Sequence, residues 1–277
     1  MRFRINRAMV GYPLAGIAML FIFLYLRFPG EALTDYAKAD VAARYPGATL
    51  SIDTIRPSFP PGFALSDITV GLRDRPDPIA RADSLTIRPG GLALLRGRVA
   101  VIAKAAGYGG EVRGRVEFSR PFSVQGPLSA AADIRNLRID KLTWLRDLFV
   151  RQVTGTLKGA IDFNGTAGAL KNGTGSVDFI LTNGTYPLQE SFLGLDRIDY
   201  SRVEGKASFR NGALKVTQLT LTGDKLRCSL KGNILLADDF QASQIDLNGT
   251  IELPLMGNKR VTLAISGTIG NPKSRVI

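Results

Sequence analysis

The residues able to do acid–base, nucleophilic or metal chemistry are few in this chain and do not assemble into a pattern. There is no histidine in 277 residues and one cysteine, Cys228. That removes the imidazole base, the histidine metal site and the cysteine pair that holds zinc. Cys228 is in register with Leu226 and Leu230, so it reads as a buried, inert thiol. Asp238-Asp239 lies between two strand patterns without other clustered oxygen ligands, which suits a solvated turn. Gly205-Lys206 is followed by Ala207 and lacks the upstream glycine of a phosphate loop, and no Gly-x-Ser-x-Gly elbow occurs. The Asn-Gly-Thr triplets at Asn164, Asn172, Asn183 and Asn248 have the form of glycosylation acceptors but the placement of turn and strand-end residues. The expectation is a protein that is not an enzyme, with no catalytic residue, no metal and no cofactor.

Charge narrows the partners. The net charge is +12, from 36 basic and 24 acidic residues scattered singly along the chain. A basic surface of this kind suits anionic lipid headgroups. Nucleic acid is not expected, because no aromatic-plus-basic stacking pattern or known reader motif accompanies the charge.

The elements that must position any site begin with an apolar segment. Val10 to Leu26 is a run of 17 residues without charge, roughly 25 Å long as a helix, at the short end of what crosses a hydrocarbon core. It reads as a transmembrane helix over 10–28, with Val10, Leu14, Ile17, Leu20, Phe21 and Leu24 among its apolar residues. Arg2, Arg4 and Arg7 precede it and Arg27 follows, which places residues 1–9 in the cytoplasm and 29–277 across the membrane. The competing readings are a cleaved signal peptide, with Ala37-Lys38-Ala39 as a formal cleavage site, and a buried helix of a soluble core. An exported chain with one cysteine has no internal disulfide, so its stability rests on packing.

Beyond Pro29-Gly30, Glu31 to Tyr45 reads as a helix, and from Thr49 the apolar period changes to two and stays there. Leu226, Cys228, Leu230, Ile234 and Leu236 alternate with polar residues. Ile245, Leu247, Ile251 and Leu253 repeat the pattern, as do Val261, Leu263, Ile265 and Ile269. Asn211-Gly212 and Gly223-Asp224 separate such runs and supply hairpin turns. Asp140 can cap a helix over Lys141 to Arg151 that carries Trp144 and Leu148, and Tyr186 to Leu195, with Pro187 and Gly194, reads as a loop or short helix.

The predicted fold is mainly β: one transmembrane helix, then a long, strongly coiled antiparallel meander of roughly 13 to 15 strands with two or three short helices, an incomplete barrel or a trough. Glycines in phase with the apolar face (Gly159, Gly205, Gly232 and Gly249 among them) allow that face to bend, and phase slips after Ile134 and Val216 look like bulges. A closed sandwich core is the competing arrangement. In the open arrangement Leu226, Leu230, Ile234, Ile245, Leu247, Ile251, Val261, Leu263 and Ile265 would form an apolar groove, and Trp144 with Leu148 a partner contact.

This layout, together with the closing phrase LAISGTIGNPKSRVI from Leu263 to Ile277, resembles the AsmA-like and TamB-like envelope proteins. At this length it looks most like the type II secretion system protein N family, GspN, over most of the chain. The resemblance implies a periplasm-facing accessory of the bacterial inner membrane with a structural or assembly role in protein secretion. Its partners would then be other secretion-system or envelope proteins. The AsmA-like relatives imply instead that phospholipid is handled along an apolar groove. Neither supplies catalytic residues.

Overall fold

The computed structural model describes residues 12, 16, 19, 23, 25 and 27–276, apart from 76, 92–97, 120–125, 144, 146–151, 193–194 and 255–258. Helix α1 (Gly30–Arg44) is followed by strands β1 (Ala48–Ser51), β2 (Thr54–Ser58), β3 (Gly62–Leu72), β4 (Ala80–Pro89) and β5 (Val99–Gly107). Next come β6 (Gly110–Phe118), β7 (Pro127–Arg138), β8 (Thr156–Thr166), β9 (Thr174–Phe192) and β10 (Leu195–Arg210). The last are β11 (Ala213–Thr222), β12 (Arg227–Leu235), β13 (Gln244–Leu253), β14 (Lys259–Thr268) and β15 (Pro272–Val276). All belong to one 15-stranded sheet, antiparallel throughout, in which each strand from β3 to β15 pairs with its neighbours in the chain. β1 and β2 share the outer edge of β3.

Local chemistry explains the meander. Between β10 and β11, Asn211 and Gly212 take φ of 49° and 77°, the paired positive values of a tight hairpin whose twist matches its strands. The ladder shifts register between Ile134 and Leu137 and between Val216 and Leu219, where the apolar phase slips. Each bulge returns the following apolar residues to the same face. Helix α1 rests on β1 and β2. Its Thr34 hydroxyl donates to the Gly30 carbonyl at 2.9 Å.

Several expectations are corrected. Among the described residues no helix is long and apolar enough to cross a membrane. Most of 10–28, including Val10, Leu14, Ile17, Leu20, Phe21 and Leu24, lies outside them, as do Arg2, Arg4 and Arg7. The charge-free run of 17 residues stands at the lower limit of what a hydrocarbon core needs. The sheet is open, and no barrel closes, because its two edges cannot pair. One is split between the short β1 and β2, interrupted at Ile52-Asp53 and covered by α1; the other is the five-residue β15, which begins at Pro272. Short, proline-bearing edges of this kind resist pairing with another strand. Tyr186 to Phe192 is not a loop but the continuation of β9, paired with the start of β10 through Tyr186↔Ile198 and Pro187↔Arg197. The break after Ile139 holds a 3-10 turn, Ile139–Lys141. The expected helix beyond it, with Trp144 and Leu148, falls largely outside the described residues.

Candidate hydrophobic binding face

Strand alternation and register together create one continuous surface. Following paired residues across the ladder gives Ile55, Leu65, Leu85, Ala105, Val112, Ile134, Gly159, Phe179, Gly205, Leu219, Leu230, Gly249, Leu263 and Val276. The row crosses every strand from β2 to β15 without one polar side chain. At about 4.8 Å per strand its contour is about 60 Å. Parallel rows flank it: Ala103, Gly114, Ala132, Ile161, Val177 and Ala207 on one side, and Leu137, Leu157, Leu181, Val203, Leu221 and Cys228 on the other. A fourth row, Val101, Val116, Ala130, Phe163, Gly175 and Phe209, lies beyond the first of these; successive rows stand two residues apart, so four rows span about 20 Å along the strands.

Burial divides this face in two. Over β11–β14 it is a filled core. Leu226, Leu230, Ile251, Leu253 and Leu263 form a buried cluster on which Leu195, Ile198, Val261 and Ile265 pack. Ile251 retains 1% of its accessible surface. Over β4–β10 no apolar side chain of the rows is buried, and Ile161 is 38% exposed. Among the described residues no second layer lies over this part, and helix α1 reaches β1 and β2 instead. The whole chain exposes 18721 Å², against about 11,700 Å² for a compact monomer of its mass. A single-layer sheet leaves such an excess.

In the middle of the open part, aromatic rings and glycines alternate. Phe179 is paired with Gly159 on one side and Gly205 on the other, and Gly175 is paired with both Phe163 and Phe209. A β-carbon built on Gly205 would fall within the Phe179 ring. Glycine there lets the ring lie down across the neighbouring strand instead of standing off the sheet. The Phe163 and Phe209 rings, on either side of Gly175 in the ladder, have centroids 6.0 Å apart at 39°. This patch is therefore apolar, low and accessible.

Polar groups near the face serve the fold. The Tyr200 hydroxyl, on a side chain 5% exposed, donates to the Thr154 carbonyl at 2.5 Å. Burial pushes its phenol up to about 12. Burial likewise raises the Cys228 thiol to about 11, which leaves it protonated and unreactive at neutral pH. Among the described residues no three carboxylate or thiol groups are grouped to hold a metal.

The groove residues expected from the sequence are brought together, and Leu226, Leu230, Leu247, Ile251 and Leu263 are buried there while Ile234, Ile245, Val261 and Ile265 are half-buried. The more accessible stretch over β4–β10 was not singled out among them. Its signal was present in the alternation of Val112, Val116 and Phe118, of Leu157, Ile161 and Phe163, and of Val177, Phe179 and Leu181. Trp144 and Leu148 lie outside the described residues. Compared with known protein families, with curated proteins and with solved structures, the chain matches none of them.

Proposed function

We propose that this protein binds long acyl chains of phospholipid on the open apolar face of β4–β10, as a lipid-handling component on the periplasmic side of the bacterial inner membrane. The observation that carries the reading is the unbroken apolar row of partners, partly exposed over those strands with no layer above it among the described residues. An extended chain of 16 carbons is about 20 Å long, comparable to the width of four rows. The face offers no polar group to a headgroup, so the headgroup stays at the strand ends and the binding is through the chain. The resemblance to AsmA-like envelope proteins supports the same reading and its location.

The test is to purify the protein in mild detergent, extract it and assay the extract for phospholipid by mass spectrometry. Copurified phospholipid is expected from the natural sequence. Ile161→Lys, which sets a charge on a position already 38% exposed, should lose it without a comparable loss of thermal stability. A lipid-free natural protein would overturn the proposal. A structural role in type II secretion is a second reading, favoured by the filled core of β11–β14, which suits a scaffold. Cross-linking in cells to secretion proteins, together with a lipid-free extract, would select it.

A further inference from the structure

The outward face of the sheet carries the charge, and its two halves handle it differently. On β6 the carboxylates are clamped by bases of β5 and β6 and by Arg98. Glu111 is held by Lys104 and Arg113, and Glu117 by Arg98 and Arg115. Hydrogen bonds from these bases, Lys104 and Arg98 first, draw both carboxyls below their usual range.

From the end of β10 onward five bases have no acid as a direct ladder partner, while Arg227 faces Glu252 and Asp246 lies midway along the row between Lys215 and Lys273. Arg210 is paired across the ladder with Thr174 and Ala213, Lys215 with Ser208 and Asn233, Lys231 with Asn248, Lys273 with Ser266 and Arg275 with Ala264. All five are exposed. The acids of β11–β15 are Asp246 and Glu252, and Glu252 is already bound by Arg260. Lys215 and Lys273 lie on one row of partners, four strands or about 19 Å apart, and Lys231 and Arg275 on the next row, about 14 Å apart.

We propose that this outward face of β10–β15 docks on a surface of anionic phospholipid headgroups. Charge complementarity is the basis: exposed cations without an acidic ladder partner outnumber the acids and are spread over a broad face, which fits a carpet of phosphates and not a single anion. Outward positions of β11–β15 carry no aromatic side chain. The face therefore lacks the stacking platform that single-stranded nucleic acid uses and the buried aromatic centre that anchors a protein partner. The docking is separate from the acyl-chain site, because it uses the opposite side of the sheet and different residues.

The experiment is cosedimentation of the full chain with phosphatidylcholine vesicles, with and without added phosphatidylglycerol, at low and high salt. The readout is the gain produced by phosphatidylglycerol, which excludes any contribution from apolar contact. Each cation near an anionic surface is worth roughly a fivefold gain in partitioning. Replacing Lys215, Lys231 and Arg275 together by Ser should therefore lower that gain by about 100-fold. Replacing Lys104, Arg113 and Arg115 by Ser removes the same charge from the clamped half and should lower it by less than about fivefold. Raising the salt should erase the gain in the natural protein. Circular dichroism checks folding, and Lys231→Ser alone, expected to lose roughly fivefold, stands in if the triple variant does not fold. The proposal is overturned by an absent gain or by equal losses in the two triple variants. Binding to an acidic polypeptide without binding to these vesicles would overturn it too, in favour of an acidic protein partner.

Discussion

Substituting Gly205 by Val tests the aromatic and glycine pattern directly. The new β-carbon would occupy the position of the Phe179 ring, so the ring must rotate off the sheet. Overpacking of this kind costs about 1–3 kcal/mol, and valine's preference for strands returns less than about 1 kcal/mol. Phe179→Ala alone should cost about 2 kcal/mol, less than the 3–5 of a fully buried phenylalanine, because the ring is partly exposed. If the two effects were independent the double variant would lose about 4 kcal/mol. Removing the ring relieves the clash, however, so the double variant should lose about 2 kcal/mol, a favourable coupling of about 1.5–2 kcal/mol. Urea unfolding with an unchanged slope measures the difference. On the proposed acyl-chain site, Gly205→Val alone should also reduce copurified lipid, and Phe179→Ala in the same chain should restore it. Additivity within about 0.5 kcal/mol would refute the account of how the ring lies.

Further outcomes follow from burial. Tyr200→Phe leaves the Thr154 carbonyl without its donor and should cost about 1–2 kcal/mol in urea unfolding. Because the Tyr200 phenol is raised to about 12 in the folded chain, its contribution is present below the ordinary tyrosine value near 10 and is lost as pH rises toward 12. The alkaline loss of stability should therefore be shallower in Tyr200→Phe. With its thiol near 11 instead of 9.0, Cys228 should be alkylated at pH 8 at least about 100-fold more slowly in the native protein than in urea, timed by mass spectrometry. Ile251→Lys places an unpaired charge where 1% of the surface is accessible and should abolish folding by circular dichroism, whereas Ile161→Lys should fold.

Much of the sheet was legible because alternation is a local signal. The direction in which Val112, Ile161 or Leu230 points is set by its parity along the strand, and the slips after Ile134 and Val216 marked the bulges that the ladder contains. What lies opposite an apolar residue is not local. Leu230 and Ile161 look alike in sequence, yet the first belongs to a buried cluster on which Leu195 and Ile198 of β10 pack, and the second is 38% exposed. The same reason hid the far end of β9. Pro187 and Gly194 signal a loop when read alone, but the start of β10 supplies a strand partner for Tyr186 and Pro187. Failure to close was equally non-local, since it depends on two short edges far apart in the chain. The carboxylate clamps of β5 and β6 depend on cross-strand register, which fixes Lys104 and Arg113 as direct partners across the β5–β6 ladder.

The chain-order pairing of β3 to β15 has a consequence for how such a protein changes length. From β4 to β15 each strand is hydrogen-bonded only to its immediate predecessor and successor, so no hairpin is threaded through another, and inserting or deleting one would leave the remaining ladder registers intact. Each duplicated hairpin would lengthen the surface by about 10 Å and require no redesign elsewhere, the growth rule of a repeat array. Size is thus a quantity that natural variation can adjust in steps, with the two blunted ends acting as fixed stops.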